Sequence, residues 1–551
     1  MFAIVRRAGI TMLPLTVAMV LATIFTIRFH GRMPADLDHR MLAGGFHWGH
    51  VWCFDHVWRM VAGLDAWGVN TTRLGFPLTG AARCLALTPA LLVAPSRLFL
   101  SSIGAYNLAI LLTPAAAVAT TFLLVRRVTD LDRWSAGAAG VMFAVSPYVL
   151  GCLSGGQTCK AQVWGVPLVL WALAGAVRGP SRFVSIVAAG FCGVLLAGTE
   201  PTYALIVPFV AGAWAILLLR RPILPHLAGV IFGLAALAAG LATAKLYYQG
   251  ADTASMLEVF EPANRLKSHG IPIPTPMAQP WPTLLGPPPL QKGAGEPNHV
   301  TYLGVPLLVA LTLGSVRAWR GRSLAWAAVV IGIVLALGEV LVSENAYVLS
   351  GSQKLGLPAL LLSRYHYPLS ESSMYYRSIV VASLGAAIGA VGWVGGKRWG
   401  PAPAWALVAI VLWDTHRVMA PVWPLQSRVQ SMELYRWMAA DTDPGAVVTV
   451  PLVSSQSDGA RMMFDGAFTS RRLSALDRFS PPSQANVEAL RGWFAEAAAS
   501  ADASASLYGH GIRYVTTLPL GPLPERAELT ALLGRPYMMD GRAVWRVGPA
   551  Q

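Results

Sequence analysis

A chain of 551 residues that is 55% hydrophobic and only 13% charged is not an ordinary soluble domain, in which the charged share is about twice as large. The formal net charge of +15 would suit a nucleic-acid binder, but the basic residues sit in short turns between apolar runs rather than on one polar face, so nucleic acid is excluded as a partner.

The first run, "AGITMLPLTVAMVLATIFTI" at 8–27, is long enough for a helix to cross about 30 Å of hydrocarbon. Arg6 and Arg7 precede it, and it continues into "RFHGRM" without a small-residue cleavage site, so it reads as an uncleaved span. Ten further runs follow near 104–125, 134–150, 162–177, 183–198, 202–219, 226–246, 301–316, 323–342, 378–396 and 402–418. With the N-terminus in the cytoplasm, the inner segments hold Arg6, Arg7, Arg126, Arg127, Arg133, Arg178, Arg182, Arg220, Arg221, Arg317, Arg320, Arg322, Lys397 and Arg398 against Asp130 and Asp132 alone. Most of the net charge is therefore a topology signal. "LALTPALLVAP" at 85–95 is short, holds two prolines and is followed by Arg97; as a crossing it would turn every later arginine cluster outward, so it is expected to be re-entrant or interfacial. The expected fold class is mainly α: a transmembrane bundle of about eleven spans over 1–418, with the C-terminus outside.

Three outer loops, 28–103, 247–300 and 343–377, carry most of the mass between spans. The second contains "PIPTPMAQPWPTLLGPPPLQKGAGEPN", too rich in Pro and Gly for helix or central strand, and reads as an irregular cover. The tail, 419–551, alternates helical stretches ("MELYRWMAA", "QANVEALRGWFAEAAAS", "PERAELTALLG") with strand-like ones ("AVVTVPLV", "GIRYVTTLPL", "RAVWRVG"), which predicts a small extracytoplasmic α/β domain. It has no Walker loop, GxGxxG or Ser-His-Asp signature. Of the five cysteines, the pairs Cys53 with Cys84 and Cys152 with Cys159 each share an outer region and either oxidise or stay free; spacing does not decide.

The stretch "HWGHVWCFDHVW" at 47–58 is amphipathic as a helix. His47, His50, Val51, Phe54, Val57, Trp58 and Val61 gather on one side, and Trp48, Trp52, Asp55, His56 and Arg59 on the other. His56 lies half a turn from His47, so one helix cannot bring the three histidines to one metal ion. The spacing of Asp55 and Arg59 suits a surface ion pair, and the tryptophans suit the headgroup layer. The expectation is a helix lying flat on the membrane.

With its outer first loop and juxtamembrane helix, and with "GAYNLAILLTPAAAVATTFLLVRRVTD", "AGAAGVMFAVSPYVLGCLSGGQTCKAQVWGVPLVLWAL", "HVTYLGVPLLVALTLG", "YYRSIVVASLGAAIGAVGW" and "YGHGIRYVTT", the chain resembles bacterial polytopic membrane glycosyltransferases of the GT-C type. The resemblance implies an enzyme of the bacterial inner membrane that takes sugar from a polyprenyl-phosphate carrier, without a nucleotide sugar, and passes it to an extracytoplasmic glycan or lipid acceptor. It also implies an acidic residue in the first outer loop that acts as base or binds a divalent metal, and cations that hold the carrier phosphate. Similar proteins begin the juxtamembrane helix with Gly-Asp; aligned on Trp52, this chain has Gly45 and then Phe46 in place of the acid. Asp36, Asp38 and Asp55 are therefore the candidate catalytic carboxylates. His47, His50, Lys160, Glu200, Arg364, His366 and Arg377 are the candidate substrate-binding residues, and Glu258, Glu261 and Glu296 qualify by position alone. A second reading is a non-catalytic protein that binds or translocates lipid-linked glycans. A third, an ion-coupled transporter, needs acids within spans, for which Glu339 and Asp414 are nearest.

Overall fold

The computed structural model describes residues 2–30, 33–42, 47–67, 70–71, 80–81, 86–154, 158–179, 181–219, 223–248, 302–316, 318–337, 342–343, 346–347, 349–350, 353–354, 358, 375–394, 401–419, 426–428, 433–450, 452, 467–469, 471–474, 482–517 and 524–549. Each of the eleven apolar runs contains helix. Ser102–Val128, Thr158–Arg178 and Arg182–Thr199 are long and apolar enough to cross a membrane. Arg133–Ala144 and Pro147–Leu153 form a fourth span only as a pair bent by 43°. The bend falls where Pro147 supplies no N–H and holds Ser146 away from helical geometry. Shorter apolar helices occupy Met12–Arg28, Thr202–Leu218, His226–Ala242, Val305–Gly314, Arg322–Ala336 and Ile379–Val394. The chain is a membrane protein by these helices.

The chain folds as two compact units. The first comprises Met1–Pro34, Leu108–Leu246 and Pro262–Leu425. At its centre Ile379–Val394 is apolar on every side and buried from Ile379 to Gly392, as a helix surrounded by other helices must be. Small residues let it close on Arg322–Ala336: a Cβ on Gly332 would strike the Ala382 backbone, and one on Gly385 the Ala325 carbonyl. Outward, Phe183, Val184, Val187 and Phe191 of Arg182–Thr199 are exposed, the face that lipid covers. Arg178 closes a helix end, donating from Nε to the Leu218 carbonyl (2.7 Å), whereas Arg127 donates to the Trp171 carbonyl within Gly165–Arg178 (3.0 Å) while lying 4.3 Å over that ring.

The second unit comprises Ala35–Asn107, Tyr247–Glu261 and Gln426–Gln551, so the start of the Ser102–Val128 helix belongs to it. Its main sheet has four strands in the order Tyr537–Met539, Arg542–Arg546, Ile512–Thr517, Ala446–Val450. The last two run parallel and the other neighbours antiparallel. Asp540 and Gly541 both have positive φ (49° and 74°), the two-residue turn that matches strand twist in a hairpin. Val448, Leu490, Ala497, Leu507, Val515 and Trp545 form the core under the flanking helices Pro482–Ala499, Ala503–Gly509 and Pro524–Leu533. The first loop joins this unit through a short antiparallel ladder, Arg40–Leu42 on Gln426–Arg428.

In the same unit the apolar piece near 85–95 is a seven-residue helix, Leu87–Val93, followed by a 3-10 turn, Ala94–Leu98. Cys53 is disulfide-bonded, whereas Cys152 and Cys159 are free and buried, so the oxidised alternative for that second pair does not hold.

Candidate functional site

Ser101 caps the Ser102–Val128 helix, its Oγ accepting from the Gly104 N–H at 3.1 Å. Onto this end sits Asp38. Its Oδ1 accepts from the Ser101 N–H at 2.8 Å and from the Ser101 hydroxyl at 2.5 Å. Here the unpaired N–H groups and the helix dipole both favour a negative charge. Nearly two turns on, the buried Asn107 donates from Nδ2 to the carbonyls of Leu37 (2.7 Å) and Arg40 (2.6 Å), which pins the chain on both sides of Asp38. Half-buried Asp38 thus has one oxygen held, while its Oδ2 takes no hydrogen bond among the described residues. Gly104 leaves the room for this seat, because a Cβ there would collide with Oδ1. Gly104→Ala is therefore expected to push Asp38 off this helix end and to lower the melting temperature; an unchanged melting temperature would show that the seat tolerates a methyl group.

Asp55 has a different setting. Its Oδ1 accepts from the Ser102 hydroxyl at 3.0 Å and lies 3.5 Å from Arg97 Nη2, with both side chains largely buried. Burial lowers the pKa of the Arg97 guanidinium, and Asp55 and then Asp38 pull it back up. Arg97 is thus the cation common to both carboxylates. Asp36 faces outward, paired with His39 at 2.8 Å and with Arg40 at 3.7 Å.

The flat-lying helix expected from the tryptophans is corrected here. His47–Val61 is helical, but His47, Trp52, Asp55 and His56 are all buried. Both of its sides are engaged from within the unit. His47 Nδ1 is hydrogen-bonded to the Tyr106 hydroxyl, and the His50 ring lies parallel to Tyr106, centroids 6.4 Å apart. Trp52 stacks on His56 at 4.8 Å. Arg59 turns to Asp65 (3.0 Å) rather than to Asp55. Among the described residues no group of three His, Cys, Asp or Glu side chains is placed to hold a metal ion; Asp38 and Asp55 have an arginine as their common neighbour, not a third ligand.

In the first unit Lys160, Glu200 and Arg377, singled out separately in the sequence, come together. Glu200 ends Arg182–Thr199 and caps Pro201–Leu218. Its Oε1 accepts from Arg377 Nη1 at 2.7 Å and from the Thr202 N–H at 3.2 Å, and Arg377 Nη1 also donates to the Thr202 hydroxyl. Lys160 and the Cys159 thiol border the same carboxylate. The Lys160 carbonyl accepts from Tyr203, whose hydroxyl is 3.0 Å from that of Tyr148. All three charged residues are buried.

Arg364, His366, Glu258, Glu261, Glu296 and Glu339 lie outside the described residues. Asp414 is accounted for locally, accepting from the Tyr302 hydroxyl at 2.8 Å and pairing with Arg417 at 3.2 Å. Sequence reasoning missed Arg97, Ser101 and Asn107 as site residues. The signal was there: Ser101, Gly104 and Asn107 recur every three residues at the start of an apolar run, a small polar stripe along one face of the helix.

No family model and no curated protein sequence matches the chain. Solved structures do. The arabinofuranosyltransferase AftD from Mycobacteria is 14% identical over 98% of this chain and 40% of that one, with a TM-score of 0.56. A mutant form of it is 14% identical over 92% and 36%, with a TM-score of 0.52. An oligosaccharyltransferase from Archaeoglobus fulgidus is 11% identical over 91% and 69% at a TM-score of 0.47, too low for anything to rest on. The chain spans well under half the length of the arabinofuranosyltransferase chains it matches. What these likenesses show is the fold, the GT-C architecture implied by the resemblance in the sequence.

Proposed function

We propose that this chain transfers a sugar from a polyprenyl-phosphate-linked donor to an extracytoplasmic glycan or lipid acceptor, with Asp38 as the general base. The observation that carries the proposal is the seating of Asp38: one carboxylate oxygen is fixed by Ser101 on a helix end and the other is free to accept. A base held that way takes the proton of an acceptor hydroxyl. The hydroxyl oxygen then attacks the anomeric carbon, and the bond from that carbon to the carrier phosphate breaks, its electron pair leaving with the polyprenyl phosphate. Asp55 and Arg97 hold the charge balance beside the base. Lys160 and Arg377 are the cations we assign to the carrier phosphate, a role that suits charges gathered at helix ends within the first unit. Arg364 and His366 keep the substrate-binding role proposed from the sequence. His47 is better read as support, since Tyr106 engages it. The bacterial inner membrane, with a cytoplasmic N-terminus and an extracytoplasmic tail, is part of the same proposal and rests on the placement of the arginines.

The test is deletion of the gene followed by mass spectrometry of surface glycans and lipid-linked sugars. The expected result is loss of one glycosidic linkage together with accumulation of one lipid-linked sugar. Unchanged glycans and carriers would sink the transferase reading. Loss of surface glycan with the linkage intact on the carrier would favour the protein that only binds or moves lipid-linked glycans.

A further inference from the structure

The four-stranded sheet of the second unit turns Val515, Ala543 and Trp545 into its apolar core, so their neighbours along the strands, Tyr514, Val544 and Arg546, point to the other face. Directly opposed residues of an antiparallel pair share a face. Tyr514 stands across from Arg546, and Tyr537 across from Val544. The helix Glu433–Ala440 brings Trp437 to this second face, its ring centroid 5.1 Å from that of Tyr514 and 5.5 Å from that of Tyr537. Tyr514 is fully buried, but Trp437 is only half-buried and Tyr537 is 55% exposed. The two outer rings are inclined at 48°, so they meet as a corner and do not close on each other.

This corner lies on the outermost strand of the sheet, where soluble domains tend to place charge rather than aromatic rings. Its polar atoms are unspent. Among the described residues neither the Trp437 indole N–H nor the Tyr537 hydroxyl makes a hydrogen bond. Beside them Arg546, its side chain 46% exposed, gives only Nη2 to Asp441 (3.0 Å). Exposed Trp, Tyr and Arg grouped in this way mark a binding surface. The charges say what it does not bind: Arg513 and Arg546 are already matched by Asp443 and Asp441, so an anion gains little. Sinking the corner into a bilayer would strip water from the Arg546 guanidinium. Ring faces edged by N–H and O–H groups suit a sugar, whose C–H side lies on the electron-rich face of an aromatic ring. Its hydroxyls then accept from Trp437 and Arg546 and exchange hydrogen bonds with Tyr537.

We infer that Trp437, Tyr537 and Arg546 form a binding face for a neutral saccharide on the C-terminal tail. The face uses none of the residues assigned to the reaction, so it holds whether the chain transfers a sugar or only binds lipid-linked glycans.

The experiment titrates the full chain, in a detergent without a sugar head group, with neutral hexasaccharides of glucose, galactose, mannose, arabinose and xylose, read by saturation-transfer NMR. At least one is expected to bind wild type, and Tyr537→Ala is expected to weaken it at least about tenfold, the usual scale for truncating an aromatic anchor. Tyr537→Phe keeps the ring and removes the hydroxyl, and is expected to lose about threefold, the low end for one hydrogen bond. Met538→Ala is expected to change nothing, because Met538 stands across from Ala543 and so belongs to the core side of the same edge strand. Asp38→Asn is expected to bind as wild type does, which keeps this result apart from that of the transfer reaction. Absence of binding by all five hexasaccharides overturns the inference, as does binding that Tyr537→Ala and Trp437→Phe both leave unaltered. Slowed amide exchange at 537–539 in phosphatidylcholine nanodiscs, with no response to any hexasaccharide, overturns it in favour of a face that meets the bilayer.

Discussion

Asp38→Asn is expected to lower sugar transfer at least a hundredfold, about the share that a positioned general base contributes, while leaving the fold unchanged. The reason lies in the two oxygens. An asparagine carbonyl still accepts from the Ser101 N–H and hydroxyl, as Oδ1 of Asp38 does, so the seat survives; the group that replaces Oδ2 is an amide that cannot take a proton. Two neighbours serve as controls. Asp36→Asn touches an outward pair with His39 and Arg40 and is expected to stay within about twofold of wild type, as exposed pairs contribute little. Asp55→Asn leaves the largely buried Arg97 beside a neutral amide and is expected to lower stability first and activity through it. Complementing a deletion strain with each variant and reading both glycan linkage and melting temperature separates the three. Full transfer by Asp38→Asn would move the chemistry elsewhere.

The bundle could be read from the sequence because a span is a local property: about twenty apolar residues in a row carry their own hydrogen bonds and need no partner to be recognised. The tail elements were legible for a similar reason, since "AVVTV" and "IRYVTT" are dense in β-branched residues and form Ala446–Val450 and Ile512–Thr517. What the sequence could not show is pairing at a distance. Met41 lies across from Ser427, and a three-residue strand leaves no periodic mark. The polar side of His47–Val61 misled for the same reason: amphipathicity separates two faces but does not say that Asp65, Arg97 and Ser102 cover one of them and Tyr106 the other. Asp38 was a candidate among three carboxylates in the sequence. Its distinction comes from Ser101 and Asn107, contacts that depend on how the loop closes onto the helix.

The second large effect is expected in the tail, at Asp441. Its carboxylate accepts from Arg513 Nε at 2.8 Å, from Arg546 Nη2 at 3.0 Å and from the Tyr514 hydroxyl, which ties Glu433–Ala440 to two strands of the sheet. The hydrogen bond from Arg513 is the main reason its pKa lies well below the usual carboxylate range, against the opposing effect of burial. Burial, and then the same carboxylate, push the Tyr514 phenol up to about 12, so that hydroxyl stays a donor at any ordinary pH. A carboxylate with a depressed folded pKa adds stability that is fully present above its unfolded value, near 4, and is lost as the pH falls through the folded value. Exchange protection of the backbone amides in 446–450 and 512–517, followed on the full chain, is therefore expected to be flat from about pH 8 to 5 and to fall below about 4. Asp441→Asn is expected to remove roughly 2 kcal/mol at neutral pH, because it leaves the buried Arg513 with Asp443 as its remaining carboxylate partner, and to abolish most of the acid dependence. Replacing Arg513 by Met as well is expected to restore part of that loss, since the double variant no longer buries a guanidinium short of one carboxylate. If the single variant keeps wild-type protection in both strands at pH 7, the ion pairs around Asp441 are surface decoration, and the sheet is held by its apolar core of Val448, Val515 and Trp545 alone.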